Sequence, residues 1–281
     1  MMVRIGVHVS IAGSIDRAVY RAVERRCDTF QIFSRNPRGW KYRPLDEIAA
    51  SAFIEAVADA GIGPAVVHMP YLPNLASEKE DMYARSVESL REELFRCAAL
   101  KIPYLVTHLG HHGSSGIAFG QKRVVRAIND ALEDAPDGVF LVLENTAGEK
   151  NSVGSQFEDI GSIIGNIDNQ ARIRVCFDTC HAFAAGYDLR TAADVGAVMD
   201  TFHDHVGLDL LSIIHLNDAK GECGSGLDRH EHIGLGKIGN EGFAYILHHP
   251  HLRSLPFIME TPVDERRDDT ANIAKVRELA A

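Results

Sequence analysis

ARIRVCFDTCHAFAAGYDLRTAADVGAVMDTFHDHVGLDLLSIIHLND, residues 171–218, holds one complete folding unit and decides how the rest is read. Arg172–Asp178 is a short apolar, β-branched run and reads as a strand. Residues 190–206 place apolar side chains at helical spacing, and Leu211–Leu216 is a second strand-like run. Two strands joined through a helix form a parallel crossover. Each strand here runs out on a side chain that can bind a metal, Asp178 in the first and His215 in the second.

Outward from this unit the same rhythm recurs. Further strands are expected at Arg4–Val9, Thr29–Phe33, Ala65–His68, Tyr104–His108, Val139–Glu144 and Pro256–Glu260. Helices are expected near 14–26, 46–60, 78–100, 119–134, 156–166, 240–248 and 269–279. Eight strand–helix pairs in 281 residues have the size of an α/β protein of the (β/α)8, or TIM barrel, class. A single barrel domain over 1–281 is expected. An open doubly wound sheet would give the same alternation, but the polarity of the strand ends favours closure.

Those ends read VVHM (66–69), LVTHL (105–109), LVLEN (141–145), VCFDT (175–179), SIIHL (212–216) and FIMET (257–261). They place His68, His108, Glu144, Asp178, His215 and Glu260 at one position on strand after strand, and the first strand runs into His8. One histidine in such a place is more often a hydrogen-bonded core residue. Six ligand types in a row have no comparable structural account, because burying an unpaired carboxylate costs several kcal/mol or more. In a barrel these C-terminal ends converge on one axis, where active sites sit. Histidine and carboxylate without thiolate suit Zn2+ or Mn2+.

Loops add more. Asp178 and His181 lie three apart at a strand exit, and Asp228 and His230 lie two apart on one face of an extended segment. His232 continues that alternation, but no carboxylate partner for it is evident. Nine ligands, His68, His108, Glu144, Asp178, His181, His215, Asp228, His230 and Glu260, would supply two or three ions. Clusters of this kind serve phosphoester hydrolysis. The five cysteines are odd in number and scattered, which implies no disulfide framework, and Cys176 and Cys180, in an apolar strand-like run, read as buried, inert thiols.

The net charge of −10 argues at first against a nucleic-acid partner. Three divalent ions would offset more than half of it, and Arg35, Arg38, Lys41 and Arg43 crowd together as a local basic stretch. No span of about 20 apolar residues suggests a membrane segment, and the N-terminal MMVRIGVHVSIAGSID does not read as a signal peptide. A cytoplasmic, soluble protein is expected. Gly234, Gly236 and Gly239 imitate a dinucleotide fingerprint, but a polar loop precedes them where a strand is required.

VLENTAG (142–148), CFDTCHAFAAGYD (176–188) and HLNDAK (215–220) with GSGLDRHEHIGLGKIG (224–239) resemble the signature segments of the endonuclease IV family of apurinic/apyrimidinic endonucleases. GVHVSIAGS (6–14) and VVHMPYLPNLAS (66–77) resemble its N-terminal segments, so the likeness spans nearly the whole chain. The resemblance implies a (β/α)8 barrel with three zinc ions, in part replaced by manganese. It implies cleavage of double-stranded DNA 5′ to abasic sites, leaving a 3′-hydroxyl and a 5′-deoxyribose phosphate, and cleaning of blocked 3′ ends. Carried over by motif, His68 and His108 would hold one ion and Glu144 would bridge it to a second. Asp178, His215 and Glu260 would complete the second, and His181, Asp228 and His230 would hold the third. Glu144 and Glu260 are the expected catalytic carboxylates. Arg38, Tyr71 and Leu72 match residues that enter the base stack at the lesion while the abasic nucleotide is flipped out. The loop after His108, LGHHGSS, departs from the family pattern and leaves His111 and His112 without a role. A monomer is expected, since the wedge needs no second subunit. Two rivals remain: a sugar isomerase or epimerase of the same architecture, which needs neither the extra ligands nor the wedge, and a non-catalytic binder of damaged DNA or metal.

Overall fold

The computed structural model describes residues 3–281. Eight parallel strands form its centre: β1 (Arg4–Val7), β2 (Phe30–Ile32), β3 (Ala65–His68), β4 (Tyr104–Thr107), β5 (Phe140–Glu144), β6 (Ile173–Asp178), β7 (Leu211–His215) and β10 (Pro256–Met259). Between them run α1 (Arg17–Glu24), α2 (Glu47–Ala60), α3 (Glu80–Ala99), α4 (Ile117–Leu132), α5 (Phe157–Gly165), α7 (Ala192–His205) and α8 (Gly239–His248), and α9 (Asp269–Leu279) follows the last strand. All eight expected strands and helices are present, with ends displaced by a few residues. Not foreseen were the short α6 (Thr179–Ala184) and a small hairpin of β8 (Asp218–Ala219) and β9 (His230–Glu231).

The hydrogen-bonded strand order is β1-β10-β7-β6-β5-β4-β3-β2. The seam between β1 and β2 closes through the parallel bridge His8–Gln31, with Val9 N–H donating to Gln31 O at 2.8 Å and Asp28 N–H to Ile5 O at 2.7 Å. Gly6 sits at this seam because nothing larger fits: a Cβ there would lie 1.8 Å from the carbonyl oxygen of Thr29. Closure therefore requires glycine at that contact.

Side chains alternate across each strand, so residues two apart share a face. Val66, Val106, Val142, Cys176, Ile213 and Ile258 form one buried apolar layer inside the barrel. Two residues further along the same strands stand His68, His108, Glu144, Asp178, His215 and Glu260. The barrel interior thus has an apolar floor with a polar layer on top of it. Its outer core, between strands and helices, includes Phe30, Phe53, Phe157, Phe177, Phe202, Phe243 and Phe257, all essentially unexposed. Helix starts are set locally: Asp46, Thr191 and Asp268 each accept a backbone N–H in the first turn of α2, α7 and α9.

Candidate metal centre

Glu144 stands at the centre of the polar layer, fully buried. Its Oε2 lies 3.1 Å from His68 Nε2 and 3.0 Å from His108 Nε2, and its Oε1 lies 2.9 Å from His215 Nδ1. One carboxylate thus faces two sets of donors. His68, His108 and Glu144 bring ligand atoms within 4.8 Å of one another, as do Glu144, Asp178, His215 and Glu260, and so do Asp178, His181 and His230. Asp228 Oδ1 completes the last group at 3.3 Å from His181 Nε2 and 3.5 Å from His230 Nε2. All nine residues singled out in the sequence come together. Asp178 reaches toward two of the groups, where the resemblance implied one.

Tautomers give a test of fit. Carbonyl oxygens only accept, so a ring nitrogen facing one must carry the proton. His68 Nδ1 donates to Met69 O at 2.7 Å, His181 Nδ1 to Asn145 O at 3.0 Å and His230 Nδ1 to Glu260 O at 3.1 Å. In the neutral form that binds metal, each ring therefore keeps the lone pair on Nε2 and turns it toward the cluster. His230 Nε2 is buried without a hydrogen-bond partner, and an orphaned buried acceptor of this kind fits a cation. Burial works against charge on Glu144, but His108 and His215 outweigh it and hold the carboxyl well below the usual range. At His181 burial likewise opposes charge, yet Asp178 first and then Asp228 and Glu144 raise the imidazole well above its ordinary value. The cluster is a strong anion field that takes up either protons or metal cations, so metal affinity falls as pH falls.

Asn145 and Asn217, not singled out in the sequence, tie the layer together. Asp178 N–H donates to Asn145 Oδ1, Asn217 Nδ2 donates to Asp178 Oδ2, and Glu260 N–H donates to Asn217 Oδ1, all at 2.7 Å. Both asparagines follow a strand end in the sequence, LVLEN and IIHLN, which was the available signal.

The structure also places the neighbouring residues, and of these the Arg35 expectation needs correction. His232 is no ligand: its Nε2 lies 3.0 Å from Asp264 Oδ1 and its Nδ1 accepts from Asn272 at 2.9 Å, so its carboxylate partner is Asp264. Arg35 adds nothing to a basic surface, because it is buried and its charge is spent on Glu93. Cys176 is buried as expected but lies beneath Glu144 and His215; burial pushes its thiol up to about 12, which leaves it protonated. His112 is structural, with Nδ1 accepting from Gly116 N–H, whereas His111 stands exposed 3.6 Å from Glu149.

The glycine-rich loop has a definite occupant. The buried Asp218 carboxylate accepts the backbone N–H groups of Ala219, Gly234, Gly236 and Ile238 at 2.9–3.0 Å. A Cβ on Gly236 would come within 2.5 Å of this carboxylate, so the loop closes on Asp218 and holds β8 against β9, which carries His230. Asp218→Asn would set an amide N–H2 against those donors. We expect it to cost about 1–3 kcal/mol in thermal unfolding and to weaken the ion held by His230, read by metal analysis. An unchanged unfolding temperature would contradict this.

A cavity of about 360 Å3 opens over the ligands, walled by His8, Phe33, Tyr71, His108 and Val263. A second, of about 590 Å3, lies across Phe33 and Tyr71 beside Asn36, Pro37 and Arg38. Tyr71 is 65 % and Leu72 37 % exposed, and Arg38 is exposed as well. Tyr71 N–H donates to Pro37 O at 3.2 Å, which ties the two expected wedge loops to each other.

Residues 19–280 match the protein family described as xylose isomerase-like TIM barrel. The protein named "Probable endonuclease 4" of Methanoculleus marisnigri is 63 % identical over 280 residues, covering 99 % of each chain. The protein of the same name from Cenarchaeum symbiosum is 50 % identical, with 99 % of each chain covered. The crystal structure of endonuclease IV from Thermus thermophilus superimposes with a TM-score of 0.88 at 36 % identity and 98 % coverage of both chains. The chain belongs to the endonuclease IV family. Membership makes this protein an enzyme, a nuclease that hydrolyses phosphodiester bonds of DNA. A D-tagatose 3-epimerase-like protein superimposes with a TM-score of 0.74 at 20 % identity, which is a likeness of fold alone. His68, His108, His181, Asp228 and His230 extend the ligand-type side chains beyond the group of Glu144, Asp178, His215 and Glu260.

Proposed function

We propose that this nuclease cuts double-stranded DNA on the 5′ side of abasic sites, leaving a 3′-hydroxyl and a 5′-deoxyribose phosphate, and trims blocked 3′ ends. It does so with three zinc ions, manganese replacing some of them, as a monomeric single-domain enzyme of the cytoplasm. No helix among the described residues is long and apolar enough to cross a membrane. The observation that carries the reading is the convergence of nine ligand-type residues, Glu144 at their centre, beneath a cavity lined by Tyr71 and next to a second lined by Tyr71 and Arg38.

Bound in these groups, the ions would supply a water of lowered pKa as nucleophile and charge compensation for the reacting phosphate. The chain itself does the rest. His68, His108 and Glu144 would hold one ion, Glu144, Asp178, His215 and Glu260 the second, and His181, Asp228 and His230 the third. Glu144 would belong to the first two sets, and Glu260 and Asp228 are ligand-type carboxylates on the cavity wall. Tyr71 and Leu72 would fill the gap left by the flipped-out nucleotide, and Arg38 would add a cation at the strand.

The test is a labelled duplex with one abasic-site analogue, incubated with the metal-replete protein. Cleavage 5′ to the lesion that disappears on prolonged chelation is expected, with intact duplex left uncut. His230→Ala should remove cleavage while circular dichroism stays unchanged. Protein holding about three ions per chain that leaves the lesion intact would sink the reading, and sugar substrates would come next.

A further inference from the structure

The polar layer has two members that no ligand count uses. His8 at the end of β1 and Gln31 in β2 occupy the same level as the six strand-end ligands, at the seam where the barrel closes. Gln31 is completely buried, and its amide makes three contacts. Its Nε2 lies 2.7 Å from Glu260 Oε1 and 3.0 Å from His8 Nδ1, and its Oε1 lies 2.9 Å from His215 Nε2.

A carboxylate only accepts, so the Gln31 NH2 must face Glu260 and its oxygen must face His215. His215 then has to donate through Nε2, which leaves Nδ1, the nitrogen nearest Glu144, as its only free lone pair. Glu260 has Oε1 engaged and keeps Oε2, 3.5 Å from His215 Nδ1, for the cluster. His8 Nδ1 receives the second amide proton and must accept, so the His8 proton sits on Nε2. His8 lines the cavity above the ligands.

We propose that Gln31 is a positioning residue which sets the atoms His215 and Glu260 present to the metal and leaves His8 Nε2–H as a donor to a phosphate or deoxyribose oxygen of the substrate. This rests on the metal-dependent reading above. One amide therefore orients two ligands and one substrate contact. Partners that orient ligating histidines change metal affinity by about 10–100-fold when removed.

The experiment compares wild type, Gln31→Met, Gln31→Glu and His8→Ala, each confirmed folded by circular dichroism. Gln31→Met keeps the bulk and loses the amide; Gln31→Glu keeps an acceptor for His215 but cannot donate to Glu260. Zinc retention is titrated against a chelator, the absorption of the cobalt-substituted proteins is recorded, and kcat and KM are measured on the abasic duplex. Both Gln31 variants should lose zinc at about 10–100-fold lower chelator strength and shift the cobalt bands, with kcat reduced. His8→Ala should raise KM while holding zinc as wild type does. Zinc retention within about twofold of wild type and unshifted cobalt bands in both Gln31 variants would overturn the proposal. So would an unchanged KM in His8→Ala. Wild type that binds no zinc would instead overturn the metal-dependent reading and this proposal with it.

Discussion

Glu144→Gln is expected to lower abasic-site cleavage by at least about a thousandfold, equivalent to ~4 kcal/mol of lost transition-state stabilisation. Glutamine has the same shape but no charge, and it offers one acceptor where the carboxylate offers two. Oε2 faces His68 and His108 while Oε1 faces His215, so whichever way the amide turns, its NH2 points into one of the two ligand groups. A donor there repels a cation and leaves neighbouring buried ligands without their counter-charge. Metal analysis should show at least one ion lost per chain, with circular dichroism unchanged because the floor of Val66, Val106, Val142, Cys176, Ile213 and Ile258 is untouched. Cleavage within tenfold of wild type would remove Glu144 from its shared position.

The second large effect lies behind the wedge. Glu93, on α3 and fully buried, accepts from Arg35 Nε and from Ser34 Oγ, and Arg96 donates to Ser34 Oγ and O. Arg96 also reaches Arg43 O at 3.2 Å, and Arg35 donates to Ser89 at 2.6 Å. Both ends of the loop that carries Arg38 are thereby fastened to one helix by charged groups in the interior. Glu93→Leu leaves the buried Arg35 guanidinium without its counter-ion and Arg96 with Glu92 alone, 3.7 Å away, which costs ~3–5 kcal/mol and lowers the unfolding temperature by on the order of 10 °C. Replacing Glu93, Arg35 and Arg96 together by apolar residues should return most of that stability, since it removes the unpaired charges as well. KM for the abasic duplex should stay raised in both variants, because the Arg38 loop has lost its anchor. A triple variant with restored stability and wild-type KM would show that the network serves stability alone.

Much of this was readable along the chain, for local reasons. Strand and helix periodicity located all sixteen barrel elements, and a period of two carried each apolar floor residue to a ligand two positions on. Ligand types at His68, Glu144, Asp178, His215 and Glu260 stood out because polar side chains rarely end apolar runs without a partner. The resemblance then grouped them into three sets. Gln31 escaped notice since an amide inside TFQIF is neither a ligand nor a charge, and its partners come from β1, β7 and the end of β10.

Sequence by itself determined the barrel, the inward-facing layer and the chemical type of the site, because all three follow from periodicity and residue type. Tertiary structure decided which members of equivalent pairs do what. His230 and His232 share one face of an extended segment, but Asp264 and Asn272 from the region of α9 capture His232 and leave His230 to the cluster. Arg35 and Arg38 belong to one basic stretch, yet Glu93 draws the first inside and leaves the second in solvent. Asp218 fills a glycine loop that could otherwise have cradled a phosphate. In each pair the residue types are alike and the outcome is set by a partner far away in the chain, and only folding brings such partners within hydrogen-bond distance.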